Sequence, residues 1–115
     1  MSTHEHNLRI DYIEFGASDL LAIKQFYSQV FGWAFTDYGP HYTSFSDGRL
    51  SGGFCSDVAV GSAPLVVIYA SDLEATLDQV RNAGGSIIQE IFSFPGGRRF
   101  QFADPSGNQL AVWSQ

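Results

Sequence analysis

The spacing of apolar positions changes period several times along the chain. Leu8 to Phe15 is rich in β-branched and aromatic residues and closes at Gly16, which predicts a strand. Ser18 or Asp19 is then placed to cap a helix. In it Leu20, Ile23, Phe26, Tyr27, Val30 and Phe31 recur at three- and four-residue spacing. Gly32 follows, where a left-handed residue ends a helix. Short strands are predicted at 33–38, 42–45 and about 50–55, separated by Gly39-Pro40 and Asp47-Gly48. The pattern then starts again. Leu65 to Ala70 reads as a strand. Ser71 or Asp72 caps a second helix, with Leu73, Leu77, Val80 and Arg81 on one stripe, and Ala83-Gly84-Gly85 ends it. Strands at 86–94, 98–103 and 108–113 complete the chain, turning at Pro95-Gly96-Gly97 and Asp104-Pro105-Ser106-Gly107.

The order is βαβββ twice. Asp19 matches Asp72 and Gly32 matches Gly85, each Asp standing 13 residues before its Gly, and Phe45-Ser46-Asp47 matches Phe102-Ala103-Asp104. One such unit has too little apolar area to fold alone, so the two are expected to share one domain over 1–115, with repeats at about 8–56 and 64–113. The fold class is α+β: a curved, mostly antiparallel sheet with a ligand cup and two outer helices. The expected core is Ile13, Phe15, Ile23, Phe26, Phe31, Phe45, Val66, Ile68, Leu77, Val80, Phe102, Leu110 and Val112.

Composition narrows the function. The chain has 115 residues and 15% aromatics, with 10 Phe, 5 Tyr and 2 Trp, which rules out a disordered chain. Its net charge of −6 argues against a general nucleic-acid binder, which needs a basic face. A single cysteine, Cys55, excludes an internal disulfide framework and a thiolate zinc cluster. The polar start has no apolar stretch behind it, so no signal peptide is expected, and the longest apolar run, Leu65 to Ala70, is too short to span a membrane. A cytoplasmic protein with no nucleic-acid or membrane partner is expected.

Several stretches together resemble the vicinal oxygen chelate superfamily, which includes glyoxalases, extradiol dioxygenases and bleomycin resistance proteins. They are Asp19-Leu20, Phe26-Tyr27, Phe31-Gly32-Trp33 and Phe102-Ala103-Asp104-Pro105-Ser106-Gly107-Asn108-Gln109-Leu110. Phe94 to Phe100 and Ala111 to Trp113 resemble its small glyoxalase-like branch. The fold hosts several chemistries, so the resemblance implies no single activity. Metal enzymes of this kind place a His seven residues before the helix-capping Asp, and a Glu seven residues after the Asp of Asp-Pro-x-Gly. Here those positions hold Tyr12 and Ala111, with Leu65 and about Gly52 at the repeat-related places. A divalent metal needs several N, O or S donors. At most Tyr12 offers one, so no metal is expected at the usual position and no cofactor is expected.

The same positions imply which side chains reach the cup, by strand alternation. Tyr12, Glu14, Leu65, Val67, Tyr69, Arg99, Gln101, Ala111 and Trp113 point in, and the repeat adds Tyr42, Ser44 and Phe54. The ligand-binding set is therefore Tyr12, Glu14, Tyr42, Phe54, Tyr69, Arg99, Gln101 and Trp113. Glu14 has three readings: a structural pair with Arg99, an anchor for a ligand amine or hydroxyl, or a catalytic base raised in pKa by burial. Arg99 is a partner for Glu14 or a clamp for a ligand anion, and Arg98 belongs on the opposite face or the rim. His4 and His6 belong to a polar terminus, and His41 to a turn. Cys55, opposite Phe54 in parity, reads as a buried, inert thiol. Trp33 and Trp113 suit core or cup. Gly52-Gly53 and Gly96-Gly97 precede no helix and read as turns or close strand approaches.

The leading function is metal-independent binding of a small molecule in an aromatic cup, of the glyoxalase/bleomycin-resistance type. The alternative is an acid–base isomerase, epimerase or lyase acting on a small oxygenated substrate through Glu14. A metal enzyme with unusual ligands, such as Glu14 with His41, and a regulatory role are further alternatives. A homodimer is expected from the small size and from the resemblance.

Overall fold

The computed structural model describes residues 6–115. Ten elements follow in the expected order: β1 (Arg9–Gly16), α1 (Leu20–Phe31), β2 (Ala34–Asp37), β3 (Tyr42–Ser46), β4 (Ser51–Cys55), β5 (Leu65–Tyr69), α2 (Leu73–Asn82), β6 (Ser86–Phe94), β7 (Gly97–Ala103) and β8 (Gln109–Ser114). The α+β class and its two βαβββ repeats stand.

Capping chemistry sets both helices. Asp19 accepts from the Ala22 amide at 3.1 Å and Asp72 from the Ala75 amide at 3.0 Å, each satisfying an amide that has no partner within the helix. Gly32, at φ 72°, closes α1. In the second repeat the left-handed residue is Gly84, at φ 100°, rather than Gly85.

The residues divide into two compact units, one of Tyr12–Leu65 and one of the residues up to Asp11 with Val66–Gln115. In the first, the strands run in the order β2-β3-β4-β1, with β1 parallel to β4 and the other neighbours antiparallel. Its core packs Phe45, Phe54 and Ala17 against Phe15, Leu20, Ile23, Tyr27, Trp33 and Phe35, so α1 covers one sheet face. In the second, the order is β5-β8-β7-β6, with β5 parallel to β8. There Phe100, Val112, Ala70, Leu73 and Leu77 form the core, joined by Ile68, Val80, Ile87, Ile91 and Phe102. The opening residues of the chain are tied into this unit: the Leu8 amide donates to the Tyr69 carbonyl at 2.7 Å, and Asn7 Oδ1 accepts from the Ser71 amide at 2.8 Å.

Of the expected core residues, Ile13, Val66 and Leu110 are only partly buried and join neither cluster, and two on α1 are exposed. Phe26 is 52% and Phe31 60% exposed. The core-facing residues of α1 are Leu20, Ile23 and Tyr27. Phe26 is one position from Tyr27, about 100° around the helix, so it falls off that stripe. Phe31 lies near it but in the final turn, and rests at the edge against Tyr27 and Trp33.

Candidate functional site

Directly paired residues on neighbouring strands share a sheet face. In the Tyr12–Leu65 unit, Glu14 pairs with Gly53 and Gly53 with Ser44, while Tyr42 pairs with Cys55. The face away from α1 therefore carries Tyr12 and Glu14 from β1, Ser51, Gly53 and Cys55 from β4, and Tyr42, Ser44 and Ser46 from β3. It is small and polar except for two tyrosines.

Those tyrosines form a hydrogen-bonded chain with Glu14. The Tyr42 hydroxyl donates to Glu14 Oε2 at 3.1 Å, and the Tyr12 and Tyr42 hydroxyls are 2.5 Å apart. Burial pushes the Tyr42 phenol far above its ordinary pKa, aided by the Tyr12 hydrogen bond and the Glu14 charge. Tyr12 is raised as well, mainly by burial, with its bond to Tyr42 opposing and the Glu14 charge adding. Both phenols are thereby held neutral beside a carboxylate. Gly53 makes room for them, because a β-carbon there would meet the Tyr42 hydroxyl and, at 2.8 Å, the Tyr12 hydroxyl.

Phe54 does not belong to this face. It is 3% exposed and lies in the core, with its ring 5.2 Å from that of Phe15 and 5.4 Å from that of Tyr27. The register explains the correction. The connection from Ser46 to Ser51 is one residue shorter than that from Ala103 to Gln109. Ala111, opposite Gln101, thus corresponds to Gly53, opposite Ser44, and not to Gly52. That single step moves Phe54 to the helix side and Cys55 to the Tyr42 side, where the thiol is half-buried rather than buried. Gly52 faces Phe45, whose ring occupies the place of a β-carbon. Both glycines are thus close-approach positions.

In the other unit the register puts Tyr69 beside Trp113, Trp113 beside Arg99, and Gln101 beside Ala111, all on the face away from α2. Phe100 and Val112 occupy the covered face, and Arg98 reaches Glu74 on α2. The Trp113 and Tyr69 rings meet edge to face at 5.1 Å, with Tyr69 buried. The Trp113 indole donates to Asp11 Oδ2 at 3.0 Å, which supplies the partner that a half-buried indole needs. The Arg99 guanidinium lies 5.4 Å from the Phe92 ring centre and 5.9 Å from that of Phe94, within cation–π range. The sequence reading missed Phe92 and Phe94 as neighbours of Arg99. Irregular register in β6, between Ile87 and Gln89 and between Gln89 and Phe92, breaks simple alternation there.

The remaining candidates are set apart. His41 is exposed and its Nδ1 is 3.0 Å from Ser56 Oγ. Trp33 is a core residue, stacked at 4.6 Å on both Tyr27 and Phe45. His4 lies outside the described residues. Among the described residues no group of three or more His, Cys, Asp or Glu side chains is placed to hold a metal ion, and no helix is long and apolar enough to cross a membrane.

Two βαβββ units, each a four-stranded mixed sheet with one covering helix, define a two-module α+β protein. The chain belongs to the Glyoxalase/Bleomycin resistance protein/Dioxygenase superfamily, whose family model matches residues 9–112. It is 32% identical to the anthracycline biosynthesis protein DauV of Streptomyces sp. (strain C5), over 89% of this chain and 45% of that protein. The chain thus spans about half the length of the curated relatives it matches. Among solved structures, a superfamily member from Vibrio splendidus 12B01 matches with a TM-score of 0.71 at 18% identity, covering 95% of this chain and 100% of that one. The methylmalonyl-CoA epimerase of Mycobacterium tuberculosis matches with a TM-score of 0.72 at 13% identity, covering 91% and 86%. These structural likenesses carry the fold alone. At the positions where metal enzymes of the superfamily hold ligands, the side chains are Tyr12, Gly53, Leu65 and Ala111. Three of the four have no donor atom, so this set does not fit a divalent cation.

Proposed function

We propose that the chain binds a small planar organic molecule without a resident metal. The observation that carries this reading is the replacement of a ligand set by the hydrogen-bonded chain Tyr12–Tyr42–Glu14 on the face of the Tyr12–Leu65 unit away from α1. Buried neutral phenols beside a carboxylate suit orientation of a polar group on an otherwise flat ligand. In the other unit, Trp113, Arg99 and Gln101 with Phe92 and Phe94, backed by the buried Tyr69, form an aromatic surface that suits stacking. The anthracycline biosynthesis named for the Streptomyces relative agrees with a planar aromatic ligand. The test is calorimetric titration of protein dialysed against EDTA with naphthalene-sized aromatics. Binding should be saturable and unchanged by added Mn²⁺ or Ni²⁺. Binding that appears only with metal sinks the proposal.

A second reading is favoured by the Tyr42–Glu14 bond: Glu14 as a general base that takes a proton from the substrate onto its carboxylate, held in position by the hydrogen bond that Tyr42 donates. Under it Glu14→Gln abolishes turnover and leaves binding largely intact. Under the binding reading the same change weakens binding or stability, and no turnover is found. The proposal also includes a homodimer in the cytoplasm; a monomer by sedimentation at micromolar concentration would refute the first part.

A further inference from the structure

We infer that the ridge Ala22–Phe26–Val30 on α1 is the surface through which two copies of this chain pair, antiparallel about a two-fold axis at Phe26. The inference rests on the homodimer proposed above and adds its surface and its register.

The repeat supplies the comparison that carries it. With Asp19 set on Asp72, Leu20 falls on Leu73 and Tyr27 on Val80, and all four pack into the core of their own unit. Phe26 falls on Gln79 and Val30 on Ala83. Covering a sheet therefore asks for no large apolar side chain at either place. Phe26 and Val30 are nonetheless 52% and 57% exposed, on the flank of α1 beside the stripe that packs. With Ala22 they stand four residues apart, which makes one ridge about 12 Å long. The Phe26 ring is held in place, edge-on to the Tyr27 ring at 5.0 Å and to the Phe31 ring at 6.4 Å. A fixed aromatic side chain loses little freedom on docking, which is why such residues anchor interface centres.

Charge names the occupant. The exposed residues of α2 include Glu74, Asp78 and Arg81, whereas those of α1 include no charged side chain. The one charged residue of α1, Lys24, lies about 160° around the helix from Phe26 and pairs with Asp37 at 3.0 Å. Asp19 caps the helix just beyond the ridge. A chain of net charge −6 repels its own copies, so two of them meet best where carboxylates are absent. A basic partner would gain nothing at this ridge and would favour acidic surface instead.

Shape gives the register. Antiparallel pairing about Phe26 sets Ala22 of one copy against Val30 of the other, small against large, and opposes the two helix dipoles. Parallel pairing would set Ala22 on Ala22 and leave a gap. The ridge is smaller than a standard interface of about 800 Å² per partner, so the dimer is one that dilution dissociates.

The test is sedimentation equilibrium of the whole chain across the micromolar range. The wild type should dimerise. Phe26→Gln/Val30→Ala, which gives α1 the residues that α2 carries, should raise the dissociation constant at least about tenfold, the loss expected at an interface centre. Leu21→Glu, about 140° around the same helix from Phe26 and at a position 62% exposed, should leave it unchanged. Ala22→Glu and Val30→Lys should each weaken the dimer. Combined in one chain they should pair at least about threefold more tightly than either alone, because the two positions meet across the axis. An unchanged dissociation constant in Phe26→Gln/Val30→Ala, equal weakening by Leu21→Glu, or no recovery in Ala22→Glu/Val30→Lys overturns the inference and leaves the homodimer standing. A wild type that stays monomeric throughout overturns both and leaves the ridge to a partner of another kind.

Discussion

The hydroxyl of Tyr42 lies over the α-carbon of Gly53, in the space that a β-carbon would fill. The phenol chain to Glu14 therefore depends on a missing side chain. Gly53→Ala should displace Tyr42, break the Tyr12–Tyr42 bond and destabilise the protein by about 1–3 kcal/mol, the usual cost of overpacking. Gly52→Ala should cost more. There the β-carbon meets the Ile13 carbonyl oxygen, a backbone atom that cannot rotate away as a phenol can. Urea denaturation of the two variants checks the order, and ligand titration of Gly53→Ala checks the loss of the site.

Much of this was legible in the sequence. Asp19 and Asp72 announced both helices, and alternation put Tyr12, Glu14, Arg99, Gln101 and Trp113 on the faces where they lie. Phe54 was misplaced because a loop one residue shorter changes the register, and a change of one residue turns a strand over. The Tyr12–Tyr42 bond joins residues 30 apart in the chain, on strands that are not neighbours, so no local pattern could reveal it. The exposed Phe26 shows the converse limit: a three- and four-residue recurrence of apolar residues was broader than the stripe that packs.

The phenols give a pH signature. Both Tyr12 and Tyr42 have pKa values raised by folding. A raised pKa binds the proton more tightly in the folded state, so its stabilisation is full below the unfolded phenol value of about 10 and is lost as pH rises above it. Phenolate absorbance of the native protein should include a component, from Tyr12 and Tyr42, that appears only as the chain unfolds. The Tyr12→Phe/Tyr42→Phe variant should lack that component. Complete ionisation of the native protein in one step near pH 10 would contradict the buried chain.

Core packing separates two phenylalanines. Phe100 is wholly buried among Leu73, Leu77 and Val112, whereas Phe26 is 52% exposed. Phe100→Ala should cost about 3–5 kcal/mol and Phe26→Ala less than about 1 kcal/mol. Denaturant midpoints at a common slope measure the difference.

Asp104 governs the turn into β8 and with it the register of Ala111 and Trp113. Its Oδ1 accepts from the amides of Ser106 and Asn108, each at 2.9 Å, and its Oδ2 from the Asn108 side chain at 2.9 Å. Those bonds, the Asn108 side chain first, lower the carboxyl below its ordinary 3.8. The unfolded chain therefore takes up the proton before the folded one does. The stabilisation is full above the ordinary value and disappears as pH falls from there through the lowered folded value. The melting temperature should fall between neutral pH and strong acid. In Asp104→Ala it should start lower and fall less, because one of the groups that responds to acid is gone. An unchanged acid slope in that variant would mean that the turn is not held by its carboxylate.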